Sequence, residues 1–283
     1  MNNILILGYS NIAIRRILPA LEKINSIETI EIATKSKNID RKGKIKKTFD
    51  CYDKAIESFS GKIIYISLAN FLHDEILLKC LSKGFDCIID KPAILREGTL
   101  VKAKKIARQK SVTFAEATVF NFHSAWKESI EILGGSENIN RAVGFFQIPD
   151  LDNENFRMSS EKGGGAHLDM SAYSIGIGRV LWDESPKNIE ILNVEFDNDL
   201  LKSFELKADF GKKRNIYGKF GFGFEYKNKI EFFSKIGSIS YERAFSPPCD
   251  IEIPLKIKTN DKSILKMQSP DDTFENFIKF FLS

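Results

Sequence analysis

Cysteine and histidine are scarce in this sequence, which limits the kinds of site that it can build. Four cysteines and three histidines are spread over 283 residues, without a Cys-x-x-Cys pair. A small disulfide-bonded fold and a thiolate zinc site are therefore not expected, and no metal is predicted. Because nothing in this cysteine usage requires an oxidising environment, we predict a cytoplasmic protein.

Long hydrophobic runs and an excess of one charge are also lacking. No apolar segment approaches the ~20 residues of a membrane-spanning helix, so no membrane partner is predicted. The apolar start at residues 4–7 has no positive region before it, which indicates a first strand and not a secretory signal. Lysine and arginine number 42 against 38 aspartates and glutamates, a net charge of +4. Such a small surplus does not indicate a nucleic-acid partner.

Strand and helix patterns alternate through the first 120 residues. The predicted strands cover residues 4–7, 27–33, 62–68, 86–90 and 112–117. The predicted helices cover residues 11–24, 71–82 and 98–109. This alternation predicts an α/β fold with a doubly wound parallel sheet and helices on both of its faces.

After residue 120 the pattern is dominated by strands. The predicted strands cover residues 141–148, 188–196, 203–210, 216–226, 229–233, 238–242, 251–257 and 263–267. The predicted helices cover residues 124–133, 165–181 and 272–282. This part of the chain is expected to form a large, mostly antiparallel open sheet with few covering helices.

An alternation of aromatic residues is clearest in the predicted strand 216–226. Phe220, Phe222, Phe224 and Tyr226 are spaced by two, which predicts four rings on one face of the sheet. Such a face is either core or a subunit interface, since a monomer avoids a large exposed apolar patch. We predict a symmetric homodimer or homotetramer.

The loop between the first strand and the first helix has the features of a dinucleotide site. A fingerprint at this place is Gly-x-Gly-x-x-Gly/Ala, and here Gly8 supplies the tight turn and Ala13 the close packing. Ser10 replaces the middle glycine, and its hydroxyl is expected to donate to a phosphate oxygen beside the free N–H groups of the helix start. The alternative is a plain strand-to-helix turn. The predicted cofactor contacts in this loop are Gly8, Ser10, Asn11, Ile12 and Ala13.

Thr34, Lys35 and Ser36, at the end of the second predicted strand, indicate NADP over NAD. An NAD site places an acid there to accept from the ribose 2′-OH, and the nearest acid, Glu31, lies back within the strand. A cation between two hydroxyls suits a 2′-phosphate instead. Most of the further cations in residues 37–47 are interpreted as part of a solvated loop. A nucleic-acid site is the poorer alternative, because no aromatics are interleaved to stack on bases.

Two later motifs indicate a catalytic site. The first is Tyr65-Ile66-Ser67-Leu68-Ala69-Asn70-Phe71-Leu72-His73, which is followed by Ile88-Ile89-Asp90-Lys91-Pro92. The second comprises Arg157, Gly163-Gly164-Gly165-Ala166-His167-Leu168-Asp169 and Tyr173. With the opening loop, these motifs resemble the Gfo/Idh/MocA oxidoreductases over nearly the whole chain.

The resemblance implies the roles of two domains. Residues 1–120 are expected to form an NAD(P)-binding Rossmann domain, and residues 121–283 an α/β domain for substrate binding and oligomerisation. It also implies that the bond between Lys91 and Pro92 is cis. The further cofactor contacts that it implies are Ser67, Leu68, Asn70, His73, Asp90 and Lys91.

Lys91, Asp169 and Tyr173 are the predicted catalytic residues. Lys91 follows a parallel strand, and open α/β sheets place their ligands at this edge. A lysine there can bond a substrate oxygen and transfer a proton. Asp169 and Tyr173 are four apart on a helix and therefore share one face. The predicted substrate contacts are these three residues together with Arg157 and His167.

The chain departs from the family pattern at several positions. Asp90 stands where the family usually has glutamate, Asn121 where arginine is common, and Ser171 where glycine is common. These departures bear on the identity of the substrate more than on the type of reaction. The family usually continues beyond the closing helix, so a trimmed or compact chain is expected.

We predict an NADP-dependent oxidoreductase that interconverts a hydroxyl and a ketone on a sugar, a nucleotide sugar or a cyclitol. One alternative is a non-catalytic regulator that keeps the fold and the nucleotide. The presence of Lys91, Asp169 and Tyr173 argues against it, because a sensor does not need proton-transfer groups. A second alternative is an enzyme that cleaves glycosides with the help of a tightly held nicotinamide.

Overall fold

The computed structural model describes residues 2–35, 39, 41–152, 154–259 and 262–283. The chain divides into two compact units. One unit comprises Met1–Ala117 together with Phe274–Ser283, and the other comprises Thr118–Thr273. The division lies near the predicted boundary at residue 120, but the end of the chain lies with the first unit instead of the second. The functional roles predicted for the two domains stay predictions.

The first unit is built on a six-stranded sheet. Its strands are β1 (Asn2–Leu7), β2 (Ile27–Ala33), β3 (Ile45–Phe49), β4 (Ile63–Ile66), β5 (Asp86–Ile89) and β6 (Phe114–Glu116). Its helices before residue 117 are α1 (Leu18–Lys23), which follows a π-helical turn at Ala13–Ile17, α2 (Tyr52–Ser58), α3 (His73–Ser82) and α4 (Glu97–Lys110). The strand order is β3-β2-β1-β4-β5-β6, and all pairs are parallel. The predicted doubly wound sheet is confirmed.

The centre of this sheet is completely buried, which explains why its strands were predictable. Residues 4–7 of β1 and 64–66 of β4 have no exposed surface, as expected for parallel strands covered on both faces. Leu77, Cys80 and Leu81 of α3 are also fully buried and belong to the core beside these strands. A strand that is buried on both faces needs an uninterrupted run of apolar residues. Such a run can be recognised in the sequence, and it predicts a strand of this kind.

Strand β3 and helix α2 were missed by the sequence reasoning, which placed residues 37–47 in a solvated loop. β3 has the sequence Ile-Lys-Lys-Thr-Phe and lies at the edge of the sheet, paired with β2 alone. Lys46 and Lys47 are exposed. An edge strand of this kind has no apolar run, because its charged side chains face solvent and protect the edge from further pairing.

The second unit contains an eight-stranded sheet. Its strands are β7 (Ile139–Ile148), β8 (Asn188–Asp197), β9 (Leu200–Gly211), β10 (Arg214–Phe222), β11 (Lys227–Ser234), β12 (Gly237–Glu242), β13 (Ile253–Thr259) and β14 (Ser263–Gln268). Its α-helices are α5 (Ser124–Ile132) and α6 (Ala166–Trp182). The order is β14-β13-β12-β11-β7-β10-β9-β8, and only β7 and β10 pair in parallel. The predicted large, mostly antiparallel sheet is confirmed.

The predicted row of four aromatic rings on one face is wrong. Strand β10 ends at Phe222, and Gly223 has a φ of +86° that turns the chain out of the extended conformation. Phe220 and Phe222 are buried in the core, whereas Tyr226 is 46% exposed. Only Phe220 and Phe222 of the alternating aromatics are therefore core residues of this strand, and Phe224 and Tyr226 lie beyond its end.

The last helix, α7 (Thr273–Leu282), lies against the first unit. The guanidinium of Arg16 lies 5.1 Å from the centre of the Phe274 ring, and Lys23 pairs with Glu275 at 3.9 Å. Phe277 and Ile278 are buried. Within the described residues, no helix combines the length and the apolar character that crossing a membrane requires.

Candidate active site

The nucleotide loop leaves β1 at the point where the order of the strands reverses, between β1 and β4. Ligands of open α/β sheets bind at such a crevice. Gly8 has a φ of +102°, and its N–H donates to Ala33 O at 2.8 Å. A Cβ at this position would lie 2.0 Å from Ser67 O. Both the turn and the close approach therefore require glycine.

Ser10 caps the helix that follows the loop. Its hydroxyl oxygen accepts from the Ala13 N–H at 3.0 Å, the interaction that an N-terminal cap makes. The same oxygen lies 2.7 Å from the Ser67 hydroxyl. Ala13 is fully buried, and Asn11 and Ile12 are exposed at the helix start. The small residue at position 13 is thus used for packing, as predicted.

Asp90 accepts hydrogen bonds on both carboxylate oxygens. The Tyr65 hydroxyl donates to Oδ1 at 3.0 Å, and the Ser67 hydroxyl donates to Oδ2 at 2.6 Å. Desolvation raises the pKa of Asp90, while the bonds from Ser67 and Tyr65 and the charges of His73 and Lys91 act in the opposite direction. Burial and the neighbouring Asp90 raise the pKa of the Tyr65 phenol.

His73 connects the loops that follow β4 and β5. Its ring is fully buried, with Nδ1 2.8 Å from Pro92 O and Nε2 3.0 Å from Leu68 O. Carbonyl oxygens only accept, so a neutral imidazole satisfies one of them and an imidazolium satisfies both. Both polar atoms of His73 are used inside the protein. The ring therefore holds these two loops next to each other.

Lys91 is half-buried and lies two residues after the end of β5, at the carboxyl edge of the sheet. The bond between Lys91 and Pro92 is cis, as the resemblance implied. The next residue is held by a side chain from β6, because the Ala93 N–H donates to Glu116 Oε2 at 2.9 Å. The loop that carries Lys91 is thus bonded to its surroundings before the proline, at Asp90, and after it, at Ala93.

The end of β2 carries the residues predicted to select NADP. Thr34 is buried, and its N–H donates to Phe49 O at 2.9 Å. Lys35 is exposed, with Nζ 5.8 Å from the centre of the Tyr52 ring. Ser36 lies outside the described residues. Tyr52 was not predicted at this place, because α2 itself was not recognised.

Asp169 is held by Arg157 in the second unit. The Arg157 Nε–H donates to Asp169 Oδ1 at 3.0 Å, and Asp169 is 8% exposed. The glycine-rich turn before α6 brings the two together. A Cβ at Gly164 would lie 2.4 Å from Arg157 O, and the Gly165 N–H donates to the same oxygen at 2.8 Å. The glycines therefore serve a close approach of two backbone segments.

Tyr173 is half-buried within a group of aromatic rings. Its ring centre lies 5.0 Å from that of Phe146, 5.6 Å from Phe245 and 6.1 Å from Phe120. His167, on the first turn of α6, is exposed, and partial desolvation lowers its pKa. Asp169 and Tyr173 lie four residues apart on α6, as predicted, whereas Lys91 belongs to the first unit.

Comparison with known proteins shows the family of the first unit. Residues 2–118 match the model of an oxidoreductase family with an NAD-binding Rossmann fold, GFO_IDH_MocA. This part of the chain belongs to the Gfo/Idh/MocA family. The resemblance stated from the motifs is thereby confirmed.

Relatives similar to this chain extend over both units. A dTDP-3,4-didehydro-2,6-dideoxy-alpha-D-glucose 3-reductase from Actinomadura kijaniata is 26% identical over 286 residues, which cover 98% of this chain and 85% of the relative. The enzyme of the same name from Streptomyces violaceoruber is 24% identical over 283 residues, covering 96% and 78%. Both named relatives are oxidoreductases that act on a sugar.

Solved structures show that the fold of both units is shared. A 3-ketoreductase from Actinomadura kijaniata in complex with NADP and TDP-benzene matches with a TM-score of 0.88. The match covers 99% of this chain and 88% of that one, at 22% identity. The predicted combination of a Rossmann sheet with a large, mostly antiparallel sheet is confirmed.

Sequence reasoning missed the polar partners of the motif residues. Tyr65 is the clearest case, since it stands at the start of a motif but its hydrogen bond to Asp90 was not predicted. A buried tyrosine usually has a hydrogen-bond partner for its hydroxyl, and Asp90 stands in the neighbouring strand region. No group of three His, Cys, Asp or Glu residues suited to a metal ion occurs in the described part of the chain.

Proposed function

We propose that this chain is an NADP-dependent oxidoreductase that interconverts a hydroxyl and a ketone on a sugar nucleotide, with reduction as the favoured direction. The observation that carries the proposal is the connection Ser10–Ser67–Asp90, which joins the dinucleotide turn to the loop of Lys91. The cofactor and the reacting group would then share one edge of one sheet. The dTDP-sugar reductases, and the relative solved with NADP and TDP-benzene, support this cofactor and substrate class.

The residues at the edge of the first sheet fit a dinucleotide. The turn at Gly8 approaches the Ser67 backbone so closely that a side chain at position 8 would collide with Ser67 O. The helix start beside this turn presents N–H groups to a pyrophosphate. Lys35 and Thr34 would hold the 2′-phosphate of NADP. When bound, the nicotinamide supplies the hydride acceptor or donor.

The remaining roles belong to side chains of this chain. Lys91 would hydrogen-bond the substrate oxygen and hold or move its proton. Tyr173, in the second unit, is a further residue proposed for proton transfer. Asp169 would accept from a sugar hydroxyl, with its carboxylate oriented by Arg157. His167 is available at the start of α6 as a further substrate contact. No observation favours the two alternatives, a non-catalytic regulator or a glycoside-cleaving enzyme.

Self-association and a cytoplasmic location complete the proposal. Strand β8 forms one edge of the second sheet, and five of its apolar residues are more than 40% exposed. These residues, which we call the β8 patch, are Ile189, Ile191, Leu192, Val194 and Phe196. A second copy of the chain would remove this patch from water. The four cysteines are free, which supports a reducing compartment.

The proposal is tested by titrating the purified chain with NADPH and NADH while nicotinamide fluorescence is followed. We expect NADPH to bind more tightly. Lys35→Ala should lower the affinity for NADPH about tenfold, the effect of one lost charge-assisted bond, and leave that for NADH unchanged. Equal affinities of the wild type for both nucleotides would contradict the choice of NADP.

Turnover is then measured with NADPH and dTDP-linked keto sugars as the loss of nicotinamide absorbance. Tight binding without turnover of any keto sugar would favour a regulator. A nicotinamide that stays bound through purification, without net turnover, would favour glycoside cleavage. Absence of binding by either nucleotide would contradict the proposed function itself.

A further inference from the structure

Ser10, which departs from the dinucleotide fingerprint, and Asp90, which departs from the family pattern, are connected by a third side chain. Ser10 occupies the position of the middle glycine, and Asp90 stands where glutamate is usual. The hydroxyl oxygens of Ser10 and Ser67 are 2.7 Å apart, and Ser67 donates to Asp90 Oδ2 at 2.6 Å. A continuous chain of hydroxyl groups thus joins the nucleotide loop to the carboxylate beside Lys91.

An ionised Asp90 fixes the direction of the hydroxyl protons. The carboxylate only accepts, so the single proton of Ser67 is directed at Asp90, and the oxygen of Ser67 accepts from Ser10. The Ser10 oxygen meanwhile accepts from the Ala13 N–H. Because its one proton is then directed inward at Ser67, Ser10 cannot donate to a phosphate oxygen in this state.

A protonated Asp90 reverses the direction of the hydrogen bonds between these side chains. The acid O–H at Oδ2 donates to Ser67, Ser67 donates to Ser10, and the proton of Ser10 becomes free to turn outward. The Ser10 oxygen then accepts from Ser67 and from the Ala13 N–H. A hydroxyl that donates to a phosphate makes a charge-assisted bond, which is stronger than the neutral hydroxyl bond that it replaces.

We propose that Ser67 is a positioning residue that links nucleotide binding at Ser10 to the uptake of one proton by Asp90. The proton comes from solvent, stays on Oδ2 while the nucleotide is bound and returns to solvent on release. No other bond forms or breaks. The inference rests on the proposed NADP-binding function and adds a pH dependence to the affinity for the cofactor.

The groups around Asp90 determine the pH at which this uptake occurs. Tyr65 donates from β4, His73 on α3 acts through its charge, and Lys91 is the next residue along the chain. These groups favour the ionised carboxylate, whereas desolvation favours the neutral acid and leaves the pKa of Asp90 above its ordinary value. Bound nucleotide would raise this pKa further. Affinity should therefore fall as the pH rises through the interval between the two pKa values.

Isothermal titration calorimetry of the full chain with NADPH measures this uptake directly. Titrations in two buffers of different ionisation enthalpy, from about pH 5 to about pH 9, give the number of protons taken up. We expect the wild type to take up more protons than Ser67→Ala, with a difference approaching one per nucleotide. Its affinity should change by up to about tenfold per pH unit in that interval. The protons that Ser67→Ala takes up on binding should come only from the titration of the nucleotide's phosphates.

Asp90→Asn is the matched control, because its amide N–H donates to Ser67 as the protonated acid does. We expect this variant to bind NADPH with the low-pH affinity of the wild type and without the additional proton. Ser10→Ala removes the receiving hydroxyl at a half-buried position and should behave like Ser67→Ala, so it gives the same comparison should Ser67→Ala fail to fold.

Equal proton uptake by the wild type, Ser67→Ala and Asp90→Asn, with all three binding NADPH, would overturn the link and leave the proposed function standing. A wild type that binds no NADPH at any pH would overturn the proposed function and the link together. The two failures are thus distinguished by whether binding itself is observed.

Discussion

Lys91 has a half-buried side chain on a backbone that its neighbours hold in place. The carbonyl of Pro92 is bonded to His73, and the N–H of Ala93 donates to Glu116. A group that transfers a proton must be held close to its productive geometry, since misplacement by about 1 Å can cost on the order of 100-fold in rate. These bonds supply that support without using the ammonium group.

Replacement of Lys91 tests its proposed catalytic role. Lys91→Met keeps the length of the side chain and removes the donor, so we expect kcat to fall at least about 100-fold. The affinity for NADPH should stay within about threefold of the wild type, as the fluorescence titration measures. Lys102→Met, an exposed change on α4, is the control and should alter neither quantity. Retained turnover by Lys91→Met would remove Lys91 from the catalytic assignment.

Arg157 is expected to act through Asp169 and not on its own. Arg157→Met removes the bond from Arg157 Nε to Asp169 Oδ1 that helps to orient this carboxylate. Because the Arg157 side chain is about a third exposed, solvent screens the pair. We therefore expect a loss of about tenfold in kcat/KM, mostly as a rise in KM. Steady-state kinetics of Arg157→Met, Asp169→Asn and the double variant measure the coupling. Additive losses would show that the two residues act independently.

Helix α6 carries two glycines with opposite surroundings. A Cβ at Gly178 would lie 2.3 Å from the Phe210 ring and 2.7 Å from Ile216. A Cβ at Gly176 would meet only the Phe120 ring, at 3.7 Å, which is ordinary contact. Gly178 thus allows α6 to lie close to β9 and β10, whereas nothing in the packing requires glycine at position 176.

The two alanine substitutions should therefore change stability in opposite directions. Gly178→Ala should lower the free energy of unfolding by about 1–3 kcal/mol, because Phe210 and Ile216 must shift. Gly176→Ala should raise it by up to about 1 kcal/mol, because alanine favours the helix. Urea denaturation followed by circular dichroism measures both. A stabilised Gly178→Ala would show that the helix can move away from the sheet at no cost.

At the scale of elements, burial decides which parts of the fold the sequence predicts. β2 was predicted with its observed bounds, 27–33, and α6 to within one residue at each end. β3 was not found, because three of its five residues are polar and its edge position does not require an apolar run. β10 was extended too far, since the alternation of aromatics continues past the turn at Gly223.

The helices of the second unit leave apolar residues of β8, at the edge of the second sheet, exposed. On β8, Ile189 and Ile191 pair with Ala208 and Leu206 of β9, so they extend the same apolar face. The β9 residues are buried, whereas Ile189 and Ile191 are 41% and 55% exposed. An apolar edge of this kind leaves surface available for association with a second copy.

Charged substitutions in the β8 patch should reduce self-association. Ile191→Lys combined with Phe196→Lys is expected to convert the proposed homodimer or homotetramer to smaller species, because the association would then bury unpaired charges. Light scattering at micromolar concentration measures the mass. Val101→Lys, at an apolar residue on α4 that is 63% exposed, is the control. A wild type that is already monomeric would contradict the prediction.

The sequence by itself determined the two sheets, the nucleotide turn and the positions of Lys91, Asp169 and Tyr173. Such features depend on local spacing: buried strands need apolar runs, a tight turn needs glycine, and residues four apart on a helix share a face. Only the tertiary structure decided what these residues touch. Ser10, Ser67 and Asp90 are up to 80 residues apart along the chain, and they meet because parallel strands bring their carboxyl ends to one edge. The proposed direction of their protons depends on the contacts between all three side chains and not on any one residue alone.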